Sequence, residues 1–149
     1  MVIYTDGSAH PNPGPGGFGV AVYYADKLIK TYSEQCEQTT NNREEIKAIL
    51  WAMKNYGTLD DTDWYQAPVV YTDSAYCYNT FTNWMFSWER NGWAKADNKP
   101  IQNLDLIKEY FGLYQEGYRI NLRLVKGHAG VEGNEIADAL ATGKYKGSE

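Results

Sequence analysis

The sequence predicts an α/β fold in which a mixed β-sheet is covered by helices. Strand-like segments come first, at residues 2–4, 19–24 and 28–33, and the last two are joined by the short polar turn Ala25-Asp26-Lys27, which is typical of a hairpin. Later strand-like segments alternate with stretches of helical periodicity, which favours helices packed on a sheet. The 149 residues are expected to form one domain, residues 1–149, in which 143–149 are a short polar tail.

The order of the remaining elements follows from local signals. The Pro- and Gly-rich stretch at residues 10–17 excludes helix between the first two strands. A helix is predicted to begin at Thr39-Thr40-Asn41-Asn42, because apolar residues follow at helical spacing. Beyond it, the pattern predicts strands at 68–71 and 120–125, helices from residue 74, at 104–114 and at 134–142, and irregular structure at 83–100.

Composition and charge limit the classes of protein to consider. The net charge is −5, whereas proteins that bind nucleic acid usually carry a basic surplus. Cys36 and Cys77 show no metal-ligand spacing and are expected to be free thiols, as is typical of a cytoplasmic protein. No stretch is long and apolar enough to predict a membrane segment.

Two predicted strands end in nearly the same way. The first runs into Thr5-Asp6-Gly7 and the later one into Thr72-Asp73-Ser74. Ligands gather where neighbouring parallel strands finish, so Asp6 and Asp73 are expected to converge if these strands are neighbours. Alternatively, Asp73 caps the next helix, whereas Asp6 precedes a Gly-Ser loop that needs no cap.

A third acidic candidate lies on the helix after Asn42, where Glu44 and Glu45 are adjacent. At about 100° per residue, Glu45 falls on the margin of the apolar stripe and is expected to reach into a site. Glu44 falls nearly opposite the stripe. It is therefore expected to point to solvent, as a first-turn carboxylate that the helix dipole favours.

Asp138 is the fourth candidate and lies among the apolar residues of the last predicted helix. Asp is unfavourable inside a helix, which indicates a role, although a solvated helix face explains it equally well. Four converging carboxylates would repel one another, and a divalent cation removes that repulsion. Carboxylate oxygens suit Mg²⁺ or Mn²⁺, and two such ions are the usual means of in-line phosphodiester cleavage.

The two histidines differ in their surroundings. His128 lies in Lys126-Gly127-His128-Ala129-Gly130, after the last predicted strand. A histidine in such a loop is suited to carry protons at neutral pH, and a loop histidine without a role is the plain alternative. His10, in the Pro-rich connection, is assigned no role.

Seven motifs together resemble type 1 ribonuclease H from the first strand to the last helix. They are Tyr4-Thr5-Asp6-Gly7-Ser8, Asn12-Pro13-Gly14-Pro15-Gly16-Gly17, Thr39-Thr40-Asn41-Asn42-Arg43, Thr72-Asp73-Ser74, Gly92-Trp93, Lys126-Gly127-His128-Ala129-Gly130 and Gly133-Asn134-Glu135 with Asp138. The resemblance implies the ribonuclease H-like fold, a five-stranded mixed sheet of strand order 3-2-1-4-5 flanked by helices. It also implies hydrolysis of the RNA strand of RNA–DNA hybrids by a monomer, with two Mg²⁺ ions per site or Mn²⁺ in their place.

The resemblance also implies roles for individual residues. The catalytic and metal-binding quartet falls on Asp6, Glu45, Asp73 and Asp138. His128 matches a loop histidine that assists proton transfer and product release. The positions that match the family's hybrid contacts, some to DNA-strand phosphate and others to the RNA 2′-hydroxyls, are Asn12, Thr40, Asn41 and Asn42.

One stretch departs from the family pattern. Better-known bacterial members carry a strongly basic protrusion that grips the DNA strand. The matching residues 84–93 keep the tryptophans, including Trp88 and Trp93, but hold a single Arg and a single Glu. Stacking is therefore expected to carry more of the substrate binding, and charge less.

Three alternative classes of protein share some of these features. An integrase or junction resolvase would share the fold and the carboxylates, but the Gly-His-Ala-Gly and Thr-Thr-Asn-Asn stretches are features of hybrid recognition. A detached reverse-transcriptase domain remains open, although a start at Met1 favours a free-standing protein. A non-catalytic binding module is expected to lack an acid and to carry a basic surface, and neither holds for this sequence.

Overall fold

A computed structural model describes residues 1–59, 66–126 and 131–145. The main sheet has the order β3-β2-β1-β5-β7, with strands β1 Val2–Ala9, β2 Gly14–Tyr24, β3 Lys27–Thr39, β5 Val69–Thr72 and β7 Asn121–Leu124. The short strands β4 (Thr58–Leu59) and β6 (Tyr118–Arg119) pair with each other in a separate sheet. Without these two, the order is 3-2-1-4-5, so the expected five-stranded mixed sheet is confirmed.

Strand direction decides where the strand ends meet. Strands β1, β2 and β3 form an antiparallel meander, whereas β1, β5 and β7 are parallel. β2 already begins at Gly14, inside the Pro- and Gly-rich stretch. A side chain at Gly16 would lie 2.2 Å from the carbonyl oxygen of Ser8, so only glycine lets β2 approach β1 this closely. Because β1, β5 and β7 run in the same direction, their carboxyl ends lie at one edge of the sheet.

Helices cover both faces of the sheet. They are α1 Asn41–Tyr56, α2 Ala75–Asn79, a π-helical turn Thr80–Trp84, α3 Met85–Arg90, α4 Leu104–Gln115 and α5 Glu132–Ala141. Gly7 of β1 touches the backbone of α1, while Tyr4 touches Gly133 of α5. Because side chains alternate along a strand, α1 and α5 lie on opposite faces. None of the helices in the described part of the chain is long and apolar enough to cross a membrane.

The prediction of irregular structure from residue 83 was wrong, since helical structure continues to Arg90. Cys77, Phe81 and Met85 are spaced four residues apart and form one buried stripe. The ring of Phe81 stacks on Tyr110 of α4 at a centroid distance of 4.0 Å. The tryptophans and polar residues around this stripe obscured its period in the sequence.

Candidate active site

The ends of β1 and β5 bring Asp6 and Asp73 together. Tyr4 pairs with Tyr71 in the parallel ladder, and two further residues in the same register set Asp6 opposite Asp73. The Thr5 hydroxyl donates a hydrogen bond of 2.7 Å to the carbonyl oxygen of Tyr71, which ties the two strand ends together. The two aspartates therefore converge, as the paired strand endings predict.

Helix capping does not account for Asp73. The N-cap of α2 is Ser74, whose hydroxyl accepts a hydrogen bond of 3.1 Å from the backbone N–H of Cys77. The carboxylate of Asp73 is thus free of the capping role that the sequence left open for it, and it faces the other acids.

Glu45 reaches the same point from the first part of α1. A side chain at Gly7 would lie 2.3 Å from the backbone of Glu44 and Glu45, so the glycine lets the helix lie directly against β1. The Gly7 N–H donates to Asp6 Oδ1 at 2.9 Å and to Glu45 Oε1 at 3.1 Å. The Thr72 hydroxyl donates to Glu45 Oε2 at 3.4 Å. Sequence reasoning missed Gly7 and Thr72, although a threonine precedes the aspartate in both strand endings.

The three carboxylates form one compact group. Each of Asp6, Glu45 and Asp73 offers one ligand oxygen, and these three oxygens lie within 4.8 Å of one another. Burial, followed by the charge of Asp73, raises the pKa of the Asp6 carboxyl to about 7. Burial, followed by the charges of Asp6 and Asp73, raises the pKa of Glu45 well above its usual range. These carboxylates are suited to hold a divalent cation, because its positive charge offsets both the cost of burying them and their mutual repulsion.

Asp138 approaches this group from α5 on the face of the sheet that carries Asp6. Gly19, which pairs with Asp6 across the β1–β2 ladder, makes room for the helix, since a side chain there would lie 2.4 Å from the carbonyl oxygen of Ala137. A side-chain hydrogen bond and the charge of Asp138 both add to the raised pKa of Asp6. Asp138 is half-buried and faces Asp6, but it is not one of the three acids in the compact group.

Glu44 is buried, and the prediction that it points to solvent was wrong. Its side chain is 1% exposed. Its Oε2 accepts a hydrogen bond of 2.7 Å from the Thr39 hydroxyl and forms an ion pair of 2.7 Å with Lys47 Nζ. The helical phase was derived from the apolar stripe of α1 alone, and it took no account of the last residue of β3, which covers this side of the first turn.

The polar residues around the start of α1 hold one another in place. Thr40 is the N-cap of α1 and accepts a hydrogen bond of 3.1 Å from the backbone N–H of Arg43. Asn41 accepts from the N–H of Ala9 at 2.6 Å, and its own N–H donates to Asn12 Oδ1 at 3.1 Å. Asn12, Asn41 and Asn42 are exposed, and Asn42 precedes Glu45 by less than one turn of α1. One polar surface at the start of α1, next to the site, is therefore formed by Asn12, Thr40, Asn41 and Asn42.

The two candidate tryptophans are half-buried and pack against the core. The ring of Trp93 meets Phe111 edge to face at 5.4 Å, and Lys108 Nζ lies 5.6 Å from its centroid. Trp88 lies 6.2 Å from Trp84, which is 40% exposed. Contacts with the core thus hold both tryptophan rings in place, and the exposed part of each ring can stack on a ligand.

His128, the predicted proton carrier, lies outside the described residues.

A mixed α/β sheet with several carboxylates at the ends of its parallel strands is a framework suited to metal-dependent cleavage of phosphodiesters. The family model for RNase H matches residues 1–146. The ribonuclease H of Alcanivorax borkumensis is 40% identical over 141 residues, which are 95% of this chain and 88% of that protein.

Solved structures give the same result. LC9-RNase H1, described as a type 1 RNase H with the type 2 active-site motif, matches with a TM-score of 0.75 at 30% sequence identity. The match covers 94% of this chain and 69% of the LC9-RNase H1 chain. LC11-RNase H1, solved in complex with an RNA/DNA hybrid, has a TM-score of 0.63 at 25% identity and covers 94% and 92%. The chain belongs to the ribonuclease H family and is an enzyme of that class, which hydrolyses the RNA strand of RNA–DNA hybrids.

Proposed function

We propose that Asp6, Glu45, Asp73 and Asp138 are the catalytic quartet of this chain and that they hold Mg²⁺, with Mn²⁺ as a substitute. The observation that carries the proposal is the group of three acids whose ligand oxygens lie within 4.8 Å of one another. Two bound Mg²⁺ ions would supply activation of the attacking water and stabilisation of the leaving oxygen.

The donor set fits this cofactor. Mg²⁺ prefers carboxylate oxygens and is usually bound through a few carboxylates, whereas zinc sites rely on Cys and His. Cys77 is buried next to Glu45 and Asp73, and its thiol pKa is raised to about 12, mainly by burial. Mg²⁺ is a hard cation that prefers oxygen to sulfur, so the carboxylates rather than this thiol are proposed as its ligands.

The protein's own residues have two further tasks. The Gly7 N–H and the Thr72 hydroxyl orient the Glu45 carboxylate, which keeps its oxygens directed at Asp6 and Asp73. His128 is proposed as the group that carries a proton to or from the scissile phosphate region and assists product release. This role rests on its place in the Gly-His-Ala-Gly motif.

Substrate binding is assigned to the polar surface at the start of α1 and to the aromatic residues of α3 and its loop. Asn12, Thr40, Asn41 and Asn42 are suited to contact phosphate and the RNA 2′-hydroxyl, since they combine exposed amide groups with a helix N-terminus. Trp88 and Trp93 are proposed to contact the DNA strand by stacking, with little help from charge.

The broader assignments follow from the same features. We propose that residues 1–149 form one catalytic domain that acts as a monomer, because all members of the quartet come from a single chain. Cys36 and Cys77 are free thiols, which supports a cytoplasmic protein.

A cleavage assay tests the proposal directly. A 5′-labelled RNA–DNA hybrid is incubated with protein and Mg²⁺ beside duplex DNA, duplex RNA and single-stranded RNA. Only the RNA of the hybrid should be cut, and chelation of the metal should stop the reaction. Cleavage of single-stranded RNA at the same rate would contradict hybrid recognition, and full activity in the chelator would contradict the metal site.

A further inference from the structure

Glu44 is a buried acid to which the proposed mechanism gives no task. It occupies the fourth helical position of α1, counted from the N-cap Thr40, and its partner Thr39 directly precedes that cap. In many helices these two positions hold apolar residues that pack together and fix the angle at which the chain enters the helix. Here a buried hydrogen bond of 2.7 Å between side chains takes the place of that apolar contact.

The Thr39–Glu44 pair closes the corner between β3 and α1. Thr39 is 5% exposed and pairs with Gly14 at the end of the β2–β3 ladder, so its position is fixed by the sheet. The backbone N–H of Glu44 donates to the carbonyl oxygen of Thr40 at 3.1 Å, while its carboxylate holds Thr39. Lys47 compensates the buried charge with an ion pair of 2.7 Å. Glu44 therefore links the end of β3 to the N-cap and the first turn of α1.

This corner carries the polar surface beside the carboxylates. Thr40, Asn41 and Asn42 follow Thr39 without a break, and Asn41 extends the contacts to Ala9 and Asn12 through hydrogen bonds of 2.6 and 3.1 Å. A change in the angle between β3 and α1 would move all of these groups relative to the strand ends.

We infer that Glu44 is a positioning residue for substrate binding, which acts by holding the segment 40–42 at the angle that the hybrid requires. The inference rests on the proposed binding role of that segment. Loss of the Thr39–Glu44 bond should weaken hybrid binding more than it slows the chemical step, because Glu45 keeps its own hydrogen bonds to Gly7 and Thr72.

The test compares Thr39→Val with Thr39→Ser, which differ in whether a hydroxyl faces Glu44. KM and kcat for hybrid cleavage are measured, together with hybrid affinity in chelator, where no cleavage occurs. Thr39→Val should raise KM and Kd about three- to tenfold with kcat changed less than about twofold, because only part of the free energy of a hydrogen bond to a charged acceptor is expressed in the position of the binding segment. Thr39→Ser should retain the affinity of the unmodified protein. Thr31→Val, on the same strand but away from the corner, should also leave KM unchanged.

A double variant keeps the inference falsifiable if Thr39→Val is too unstable to assay. Thr39→Val combined with Glu44→Leu replaces both polar partners by apolar ones, which restores the usual contact without a stranded charge. It should bind the hybrid within about twofold of the unmodified protein. Unchanged affinity in Thr39→Val, or a double variant that folds but binds the hybrid clearly more weakly than the unmodified protein, would overturn the role of Glu44. An unmodified protein that binds no hybrid would instead overturn the proposed function.

Discussion

The backbone N–H of Gly7 donates a hydrogen bond of 3.1 Å to the carboxylate of Glu45 and thereby joins β1 to α1 at the centre of the acidic group. Any side chain at Gly7 would begin 2.3 Å from the backbone of Glu44 and Glu45. Contacts that short cannot be relieved by rotating a side chain, so the helix itself would have to move.

Gly7→Ala is therefore expected to displace Glu45 and to lower kcat by at least about tenfold, the scale of a misplaced catalytic group. Divalent-cation affinity, measured by calorimetry, should fall with it. Gly112→Ala is the matched control, because Gly112 lies in α4 with open space around it, and alanine there should be neutral or slightly stabilising. Full activity in Gly7→Ala would mean that α1 is not held at this distance.

Neutralising single members of the quartet tests the metal site. Asp6→Asn, Glu45→Gln and Asp73→Asn should each nearly abolish cleavage while the fold is retained, because each removes a charged ligand. Asp97→Asn, at an exposed position, serves as the control and should keep its activity. Circular dichroism checks the fold, and calorimetry should show that the three inactive variants bind Mg²⁺ weakly. An active Glu45→Gln would remove Glu45 from the quartet.

The two strand endings predicted that Asp6 and Asp73 converge if their strands are neighbours, because each ending is a local pattern. The sheet order that makes those strands neighbours came from the resemblance to type 1 ribonuclease H. The sequence did not contain the burial of Glu44, which depends on where β3 ends relative to α1. Strands β4 and β6 have only two residues each and leave no periodic pattern to detect. The burial of Glu44 was thus missed because it is a contact between elements, whereas β4, β6 and the helix that ends at Arg90 were missed because their own patterns are short or obscured.

The acidic group also predicts how stability depends on pH without a metal. The Asp6 carboxyl has a pKa of about 7 in the folded chain against 3.8 as its ordinary value, so the folded state binds the proton more tightly than the unfolded state. Stability contributed by this proton is fully present below pH 4 and is lost as the pH rises towards 7. Thermal unfolding in chelator should show a Tm that falls over this window.

Added Mg²⁺ should raise Tm more at pH 8 than at pH 5, since protons and the metal compete for the same carboxylates. In chelator, Asp6→Asn supplies the control for the proton effect, because residue 6 can then no longer titrate and the fall of Tm between pH 4 and pH 7 should be smaller. Equal stabilisation by Mg²⁺ at both pH values would argue against binding at the buried acids.

His128→Ala tests the proposed proton carrier. Turnover should fall by roughly 10²–10⁴-fold, the usual contribution of an acid–base group, or by less if water substitutes. Metal affinity should survive, because His128 is not proposed as a ligand. His10→Ala is the matched histidine control and should be nearly silent. Loss of Mg²⁺ binding in His128→Ala would make the histidine a ligand instead.

The residues around Trp88 predict a weak dependence of hybrid binding on salt. Affinity falls with salt with a slope of about −0.9Z for Z neutralised phosphates on duplex DNA, so few cations should give a shallow slope. The C-terminal end of α3 holds Glu89 and Arg90, and the Arg90 guanidinium donates to the Ser87 hydroxyl at 3.3 Å. Trp88→Ala should weaken binding with little change in slope, because stacking releases no counterions. It should also lower Tm, since Trp88 packs against the core.

Restoring positive charge at this end of α3 should change the slope itself. Glu89→Lys with Asn91→Lys places two cations beside Trp88, and it removes only the hydrogen bond of 3.2 Å from the Asn91 amide to the carbonyl oxygen of Ala94. KM for the hybrid should fall and the salt slope should steepen, while kcat stays nearly unchanged because the carboxylates are untouched. Glu116→Lys with Gln115→Lys is the control for net charge, because it changes the net charge by the same amount. These two residues lie at the end of α4, before β7, and so lie towards the edge of the sheet opposite the strand ends that carry the acids. A steep slope already present in the unmodified protein would contradict the prediction, because the phosphate contacts would then have to come from other lysines and arginines.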